Sequence, residues 1–446
     1  MKTTWLKTTL ALTISAASAQ VLANGIAINE QSASGAGTAY AGRASSALDA
    51  STVYGNPAGL SKLKRTEISG GLAVVDAKDD ISQAKGGSPN GTNKGDSVPL
   101  AAVPFGYIST PINDDFTFGF GVYVPYGIIN DYESSFAGRA LGSYSKVQVI
   151  TLQPTIAYKI NDRVSVGFGP TINRIDGKLE NDLNTAGINQ LVGGKGDANI
   201  SIKGDDTAVG YNIGVMVDLT DDTTWGLTYH SKVDYHLKGH TKFSNVPNVP
   251  LGLLGLPISG TLGGQVNGKY DAKLDITLPE SVDTSITHKF NDQWTVYAGT
   301  VWTRWSRLEN IEVNNSGMTP VGNAVFGTIS EDLKWKDTWS FSVGTSYQLN
   351  QEWVLRTGLA FDPSPTDNEY RNVRIPVGDR KIFTLGAGYS PNQDVTIDVA
   401  YAYLWENTAG VNQKGESIAG VPVQPAYSAK YDNSAHGLTA QLTYRF

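Results

Sequence analysis

At 446 residues the chain is too long for one ordinary globular core, yet 49 Gly, 21 Tyr, 9 Trp and only 17 % charged residues do not suit a cytosolic enzyme. With no Cys, disulfides, thiolate zinc sites and cysteine nucleophiles are excluded together. The formal charge of −7, with acids and bases mixed along the chain, leaves no nucleic-acid footprint, and no run approaches the ~18 apolar residues of a membrane helix.

Residues 1–23 read as an export signal. Lys2 and Lys7 supply the positive end, Leu10 to Ala19 a short apolar stretch, and cleavage is expected after Ala23 or after Ala19. Residues 24–65 do not alternate: they are rich in Gly, Ala and Ser, which suits a compact segment packed inside something larger. Gly35-Ala36-Gly37 is no dinucleotide fingerprint, because Tyr40 follows and no strand precedes it.

From residue 66 onward one pattern repeats. Short Asn/Asp turns centre on Asn113-Asp114, Asn161-Asp162, Asp221-Asp222, Asn291-Asp292, Asn350-Gln351 and Asn392-Gln393. Asn and Asp favour tight turns because their side chains bond nearby backbone. Phe116, Trp294 and Trp353 follow three of these turns, where an interfacial aromatic belt belongs. Long connections are expected near 77–97, 125–144, 180–206, 239–270, 306–337, 362–380 and 406–435. Six short turns and seven long loops require 14 strands, the even number of a single-chain bacterial outer-membrane barrel.

The strands alternate as a barrel requires. Trp339, Phe341, Val343, Thr345, Tyr347 and Leu349 share one face, and Ser340, Ser342, Gly344, Ser346 and Gln348 the other. The C-terminal run Leu438, Ala440, Leu442, Tyr444, Phe446 repeats this and ends on an aromatic. The fold expected is therefore all-β, a 14-stranded antiparallel transmembrane barrel in a Gram-negative outer membrane, with residues 24–65 as an N-terminal hatch plugging the lumen. Such a plug argues against an open aqueous porin. No cofactor or metal is expected. His230 and His236 share a face but lie roughly 20 Å apart along a strand, so lumen histidines in solvent are the better reading. An outer-membrane lipase or protease needs a clustered nucleophile and base, and no spacing here assembles one.

Several segments together resemble the outer-membrane long-chain fatty acid transporter family: Gly25-Ile26, Asn29-Glu30, Ser34-Gly35, Ala39-Tyr40, Asn56-Pro57-Ala58, Tyr126-Gly127, Leu278-Pro279-Glu280, Trp335-Lys336-Asp337, and Arg356 through Asp362. The resemblance implies a monomeric 14-stranded barrel with a hatch. It implies a passive diffusion channel for long-chain fatty acids, or a same-family channel for aromatic or aliphatic hydrocarbons. It further implies capture of a hydrophobic ligand on an outer groove, passage to a pocket bordered by Gly25, Ile26 and Ala27, and lateral exit into outer-membrane lipid at an inward kink in the third strand. Asn56, Pro57 and Ala58 form the hatch motif by the same comparison.

Three further expectations join those that the resemblance implies. The third strand is expected over 116–124, with Gly119 and Gly121 permitting the kink. The outer loop 246–258 is apolar for a water-facing connection, and Leu251, Leu253, Leu254, Leu256 and Ile258 can offer a groove or pack as a lid core. A carboxylate needs a cation, and Arg356, Lys232, Lys238 and Lys336 are the candidates, the first three on lumen-facing parities of their strands.

Overall fold

The computed structural model describes residues 25–185, 188, 189, 192, 196–254, 259–418 and 421–446. The expected signal at 1–23 and Asn24 lie outside the described residues, as do Leu256 and Ile258, and the side chain of Leu254 is not described.

The chain is a closed antiparallel barrel. Its first strand, β1 (Glu67–Gly86), pairs with the last, β21 (Tyr427–Arg445), from Glu67↔Arg445 to Gly86↔Tyr427, so the sheet has no open end in lipid. Between them lie β2 (Ala101–Pro111), β3 (Phe116–Asp131), β4 (Tyr144–Lys159), β5 (Val164–Leu183) and β6 (Ala198–Asp218). The next four staves are each broken in two: β7 (Thr223–His230) with β8 (Val233–Ser244), β9 (Gly268–Leu278) with β10 (Ser281–Lys289), β11 (Trp294–Thr303) with β12 (Asn310–Ser316), and β13 (Thr328–Asp332) with β14 (Thr338–Gln348). β15 (Trp353–Asp362), β16 (Arg380–Tyr389) and β17 (Val395–Glu406), the last extended by β18 (Ala409–Gln413), complete fourteen staves. A small hairpin, β19 (Glu416–Ile418) with β20 (Val421–Gln424), sits in the last long loop.

The turn chemistry explains the count. Asn113 Oδ1 accepts from the backbone N–H of Asp115 and Phe116, and Asn161, Asn291, Asn350 and Asn392 repeat that geometry. In the remaining turn, at Asp221-Asp222, Thr220 Oγ1 does the corresponding work for Asp222.

At the other end the strands outrun expectation. β5 and β6 stay paired up to Leu183↔Ala198, through Asp176, Lys178, Glu180, Lys203 and Asp205. A ladder that has left the bilayer continues in water with polar side chains, so a charged stretch does not mark the end of a strand.

Facing outward around the membrane zone is a belt of exposed apolar side chains, among them Phe341, Val343, Leu355, Leu359, Leu438 and Leu442, as expected where hydrocarbon is the solvent. Inside sits the segment 25–66, in short turns and one-turn helices (Ala33–Ala36 and Thr52–Gly55). It fits because the wall offers glycines to it. A Cβ on Gly226 would stand 1.8 Å from Ala44 O, one on Gly214 1.9 Å from Asn56 Oδ1, one on Gly167 2.3 Å from Pro57 C, and one on Gly358 2.3 Å from Thr38 C. Glycine in a strand here marks close approach of another backbone.

The connection 363–379 crosses the outer mouth. It leaves β15, reaches the far wall and returns to β16. Arg374 donates to Tyr144 O (3.0 Å), Ser145 Oγ (2.8 Å) and Asn181 Oδ1 (2.7 Å), while Tyr132 donates to Val373 O (2.7 Å).

Candidate functional site

The site begins at a defect in the wall. Pro125 has no N–H to give to a ladder, and the β3–β4 register slips there: Tyr123 faces Thr151, but Tyr126 faces Val149. Two residues, Val124 and Pro125, thus oppose one, which is a β-bulge. The kink expected at Gly119 and Gly121 therefore lies further along. Those glycines hold regular register with Ser109 and Tyr107, and their missing side chains make room for Leu60 and Val53 of the hatch.

The bulge has two consequences. Pairing of β2 with β3 stops at Gly106↔Val122, although β2 remains paired with β1 as far as Val75↔Ala101. Residues 101–105 thus have a paired strand on one side only, which leaves a gap in the ladder of the wall. The start of the hatch then bonds to the displaced strand: Ile28 N–H donates to Pro125 O and Gly127 N–H to Ile26 O, both at 2.9 Å. Ile28 packs with Ala101, Val103 and Val124 at the gap.

Beside this contact is a cavity of about 1430 Å³, part of it open to solvent. The hatch contributes Ala27, Glu30, Tyr40, Arg43 and Tyr54, the bulge contributes Pro125 and Tyr126, and the wall contributes His230, Val233, Ile382 and Leu404. Above it, toward the outer face, lies a second space of about 620 Å³ with apolar walls, including Val147, Ile175, Leu179, Ile202, Leu237 and Leu274. One apolar cluster joins the two. Ile26, Trp305, Trp335, Ile175, Leu237 and Val233 pack together in it, with Ala27 and Tyr126 against its lower side and Val147 and Leu274 against its upper side. Gly25 fits only because it has no side chain: a Cβ there would lie 2.6 Å from Trp335.

Of the three residues expected to border the pocket, Ala27 lines the cavity, while Gly25 and Ile26 stand between cavity and groove. Asn56, Pro57 and Ala58 are buried at the hatch base, away from the cavity lining. The Asn56 amide donates to Ala44 O (2.5 Å) and Val215 O (3.0 Å), and its oxygen accepts from Ala58 N–H (3.0 Å). This ties hatch to wall. In the outer loop Leu251 is fully buried with Val246, Val249, Leu262 and Phe326, so it is lid core rather than groove, whereas Leu253 is exposed.

None of the four candidate cations lines the cavity. Arg356 is buried in a 2.7 Å ion pair with Asp398. Lys336 is exposed and pairs with Asp367 at 2.7 Å. Lys232 pairs with Asp234 at 2.8 Å, and Lys238 lies on the outward face of β8 with Asp234 and His236, while Val233, Tyr235 and Leu237 point inward. The parity assignment of the two lysines fails because β8 stands above the bilayer, where water is outside and the apolar face turns in. His236 is likewise exposed, against Asp275, but His230 is half-buried against Tyr54, with ring centroids 5.1 Å apart, and is not a solvated lumen histidine.

Among the described residues, the cation that lines the cavity is Arg43, on the hatch. It pairs with Asp283 at 2.5 Å, bonds Asn29 Oδ1 at 3.0 Å, and lies over the rings of Tyr40 and Tyr54. Burial opposes its charge, but the Asp283 carboxylate more than offsets this and holds the guanidinium protonated. Glu30, on the same rim, is pushed up to about 6 by burial. Spacing gave no signal for Arg43, Glu30 or Tyr54, because what joins them to the wall is the folding of the hatch.

The model of the outer membrane protein transport protein family (OMPP1/FadL/TodX) matches residues 14–446. A long-chain fatty acid transport protein of Escherichia coli O6:H1 is 30% identical over 462 residues, spanning 100% of this chain and 99% of that protein. The K12 strain's protein of the same name is 29% identical over 438 residues, 92% of this chain and 94% of its own. Among solved structures, a Pseudomonas aeruginosa FadL homologue superposes with a TM-score of 0.81 at 25% identity, covering 95% of this chain and 100% of that one. The toluene transporter TodX of P. putida shares the fold, with a TM-score of 0.66 at 19% identity over 90% of this chain and 95% of its own. Both the match and the barrel lead to the same statement: the chain belongs to the OMPP1/FadL/TodX family of outer-membrane transport proteins, a family of transporters and not of enzymes.

Proposed function

We propose that this protein admits long-chain fatty acids, or molecules of similar hydrophobicity, by passive diffusion and releases them sideways into the outer membrane. The observation that carries this reading is the apolar contact from the outer groove, past Ile26, Trp305 and Trp335, to a cavity lined by the bulge residues Pro125 and Tyr126, where β3 has parted from residues 101–105 of β2. A chain of CH₂ groups gains about 0.8 kcal/mol for each one removed from water, so such a path draws in a hydrocarbon tail with no energy source. Gly25 and Ile26 act as the barrier between groove and cavity, Ala27 as pocket wall, and the protein works as a monomer that hands ligand to lipid.

Growth provides the test. A strain lacking its own long-chain fatty acid channel should regain growth on oleate when given this protein. Deleting Pro125, which removes the extra residue of the bulge, should abolish that growth while surface levels and heat-modifiable migration stay normal. Uptake confined to aromatic hydrocarbons would shift the reading to a hydrocarbon channel. Unimpaired oleate growth without Pro125 would exclude the sideways exit.

A further inference from the structure

Above the bilayer the outward face of the barrel is uneven in charge. On β4, β6, β8 and β9 it carries Lys146, Lys203, Lys238, Lys242, Lys269 and Lys273, all exposed except the half-buried Lys146. Among the described residues none of these lysines is held in an ion pair. Two pairs stand directly opposite across the β8–β9 ladder, Lys238↔Lys273 and Lys242↔Lys269. A further row, Lys146↔Lys178↔Lys203↔His240, crosses β4, β5, β6 and β8. Like charges placed opposite one another in a sheet destabilise it, and the protein does little to offset them. The nearby carboxylates are mostly taken: Glu180 by Lys178, Asp176 and Asp205 by Arg174, Asp234 by Lys232. Asp271, opposite His240, lies between the two lysine pairs, one carboxylate among four ammonium groups. His240 is held below its ordinary pKa, by partial burial first and then by Lys269 and Lys203, which outweigh Asp271. The neighbouring wall differs. The outward positions of β12 and β13 are Asn310, Glu312, Asn314, Thr328, Ser330 and Asp332, with no Lys or Arg among them.

We propose that this lysine face docks lipopolysaccharide, the phosphorylated glycolipid of the outer leaflet, with Lys238, Lys242, Lys269 and Lys273 at the centre of the site. The match is one of charge and of level. Below the lysines the same outward faces turn apolar, at Leu152 of β4, Ile172 of β5, and Val209 and Tyr211 of β6. Lys203 stands six residues above Val209, about 20 Å along a tilted strand. A lipid whose acyl chains lie against that belt therefore brings the phosphates of its sugars to the level of the lysines. A phosphate between two opposed ammonium groups replaces their repulsion with two charge-assisted hydrogen bonds, and each lysine within reach of an anionic lipid surface adds to the attraction. The strands that carry the lysines outward present Ile175, Ile202, Leu237 and Leu274 to the groove, so the bound glycolipid braces the groove wall from outside. This inference rests on the barrel's place in the outer membrane and not on what passes through it.

The test uses the intact protein in a neutral detergent, freed of lipid, with three probes: lipopolysaccharide, the same lipopolysaccharide stripped of its phosphates, and phosphatidylglycerol. Native lipopolysaccharide should bind saturably, about tenfold or more tighter than either of the others, and should weaken as salt rises. It should slow hydrogen exchange in β8 and β9 and leave β12 and β13 unchanged. Lys238→Gln, Lys242→Gln and Lys269→Gln combined should lower its affinity about tenfold or more, with heat-modifiable migration intact. Lys78→Gln with Lys430→Gln, which removes two exposed lysines from β1 and β21, should not. The comparison of probes on the wild type needs no variant to fold. Equal binding of the dephosphorylated lipid overturns the phosphate contact, and equal binding of phosphatidylglycerol overturns the choice of glycolipid. Unaltered affinity in the triple variant, or the same loss in the β1–β21 variant, overturns the location of the site.

Discussion

In the lower half of β21 the outward side chains are Leu438, Leu442 and Tyr444, exposed, and the inward ones are Thr439, Gln441 and Thr443, buried. In its upper half the outward ones are Lys430 and Asp432, and the inward ones Tyr427, Ala429 and Tyr431. One strand, with one unbroken alternation, thus carries two opposite chemistries. The backbone has not changed face; the solvent has. Below, hydrocarbon is outside and the hatch inside. Above, water is outside, and the strands curl around apolar clusters such as the one containing Ile175, Leu237 and Trp305. A hydrophobic ligand uses both zones, and the bulge at Pro125 with its gap in the wall is where the path turns from one to the other.

The strongest way to break the comparison is to place the same charge in each zone. Val343→Arg, on the lipid face near the middle of β14, should cost about 2–4 kcal/mol and deplete folded protein from the outer membrane. Lys430, at an outward upper position, shows that a cation there is tolerated, and Lys430→Arg should leave yield unchanged. Equal loss for both substitutions, measured as the heat-modifiable fraction, would mean that the two zones share one solvent.

The inward face gives the converse. Leu237→Ala should destabilise the upper zone by about 2–3 kcal/mol, since a buried leucine is lost and its neighbours close only in part. The same substitution at its outward neighbour, Lys238→Ala, should be nearly silent. Hydrogen exchange of β8 and β9 reads the difference.

A smaller effect is expected where hatch meets wall. Asn56→Ala leaves Ala44 O and Val215 O without their donor, a loss of about 1–3 kcal/mol in hatch docking. Uptake should fall and protease should cut within 25–66, with barrel migration unaltered. Transport at wild-type surface levels would exclude an anchoring role for Asn56.

The smallest effect depends on pH. Burial raises Glu30 from 4.5 to about 6. Below 4.5 the carboxyl is protonated whether or not the hatch is docked, so it contributes nothing. Between 4.5 and about 6 the docked form resists ionisation, so docking weakens across that window and levels off above it. Glu30→Gln should therefore slow hydrogen exchange of the hatch relative to wild type at neutral pH and match it near pH 4. A variant less protected than wild type at neutral pH would reverse the sign and discard this account of Glu30.

Much of this molecule is legible along the chain, because the rules involved are local. An Asn in a short turn bonds the backbone beside it whatever the rest does, so Asn113, Asn161, Asn291, Asn350 and Asn392 mark the periplasmic turns, and the number of staves follows from them. The alternation of Phe341 and Val343 with Ser342 and Gly344 states that the two faces differ. It does not state which face meets water, and that is why Lys232 and Lys238 are misplaced by parity alone: the height at which β8 leaves the bilayer is a property of the assembled barrel. The bulge is written at Pro125, but its meaning appears only when residues 26–28 of the hatch are laid against it. Arg43 and Asp283 are 240 residues apart in the chain. Their juxtaposition, and with it the chemistry of the cavity, is decided by closing the sheet around the segment that precedes it.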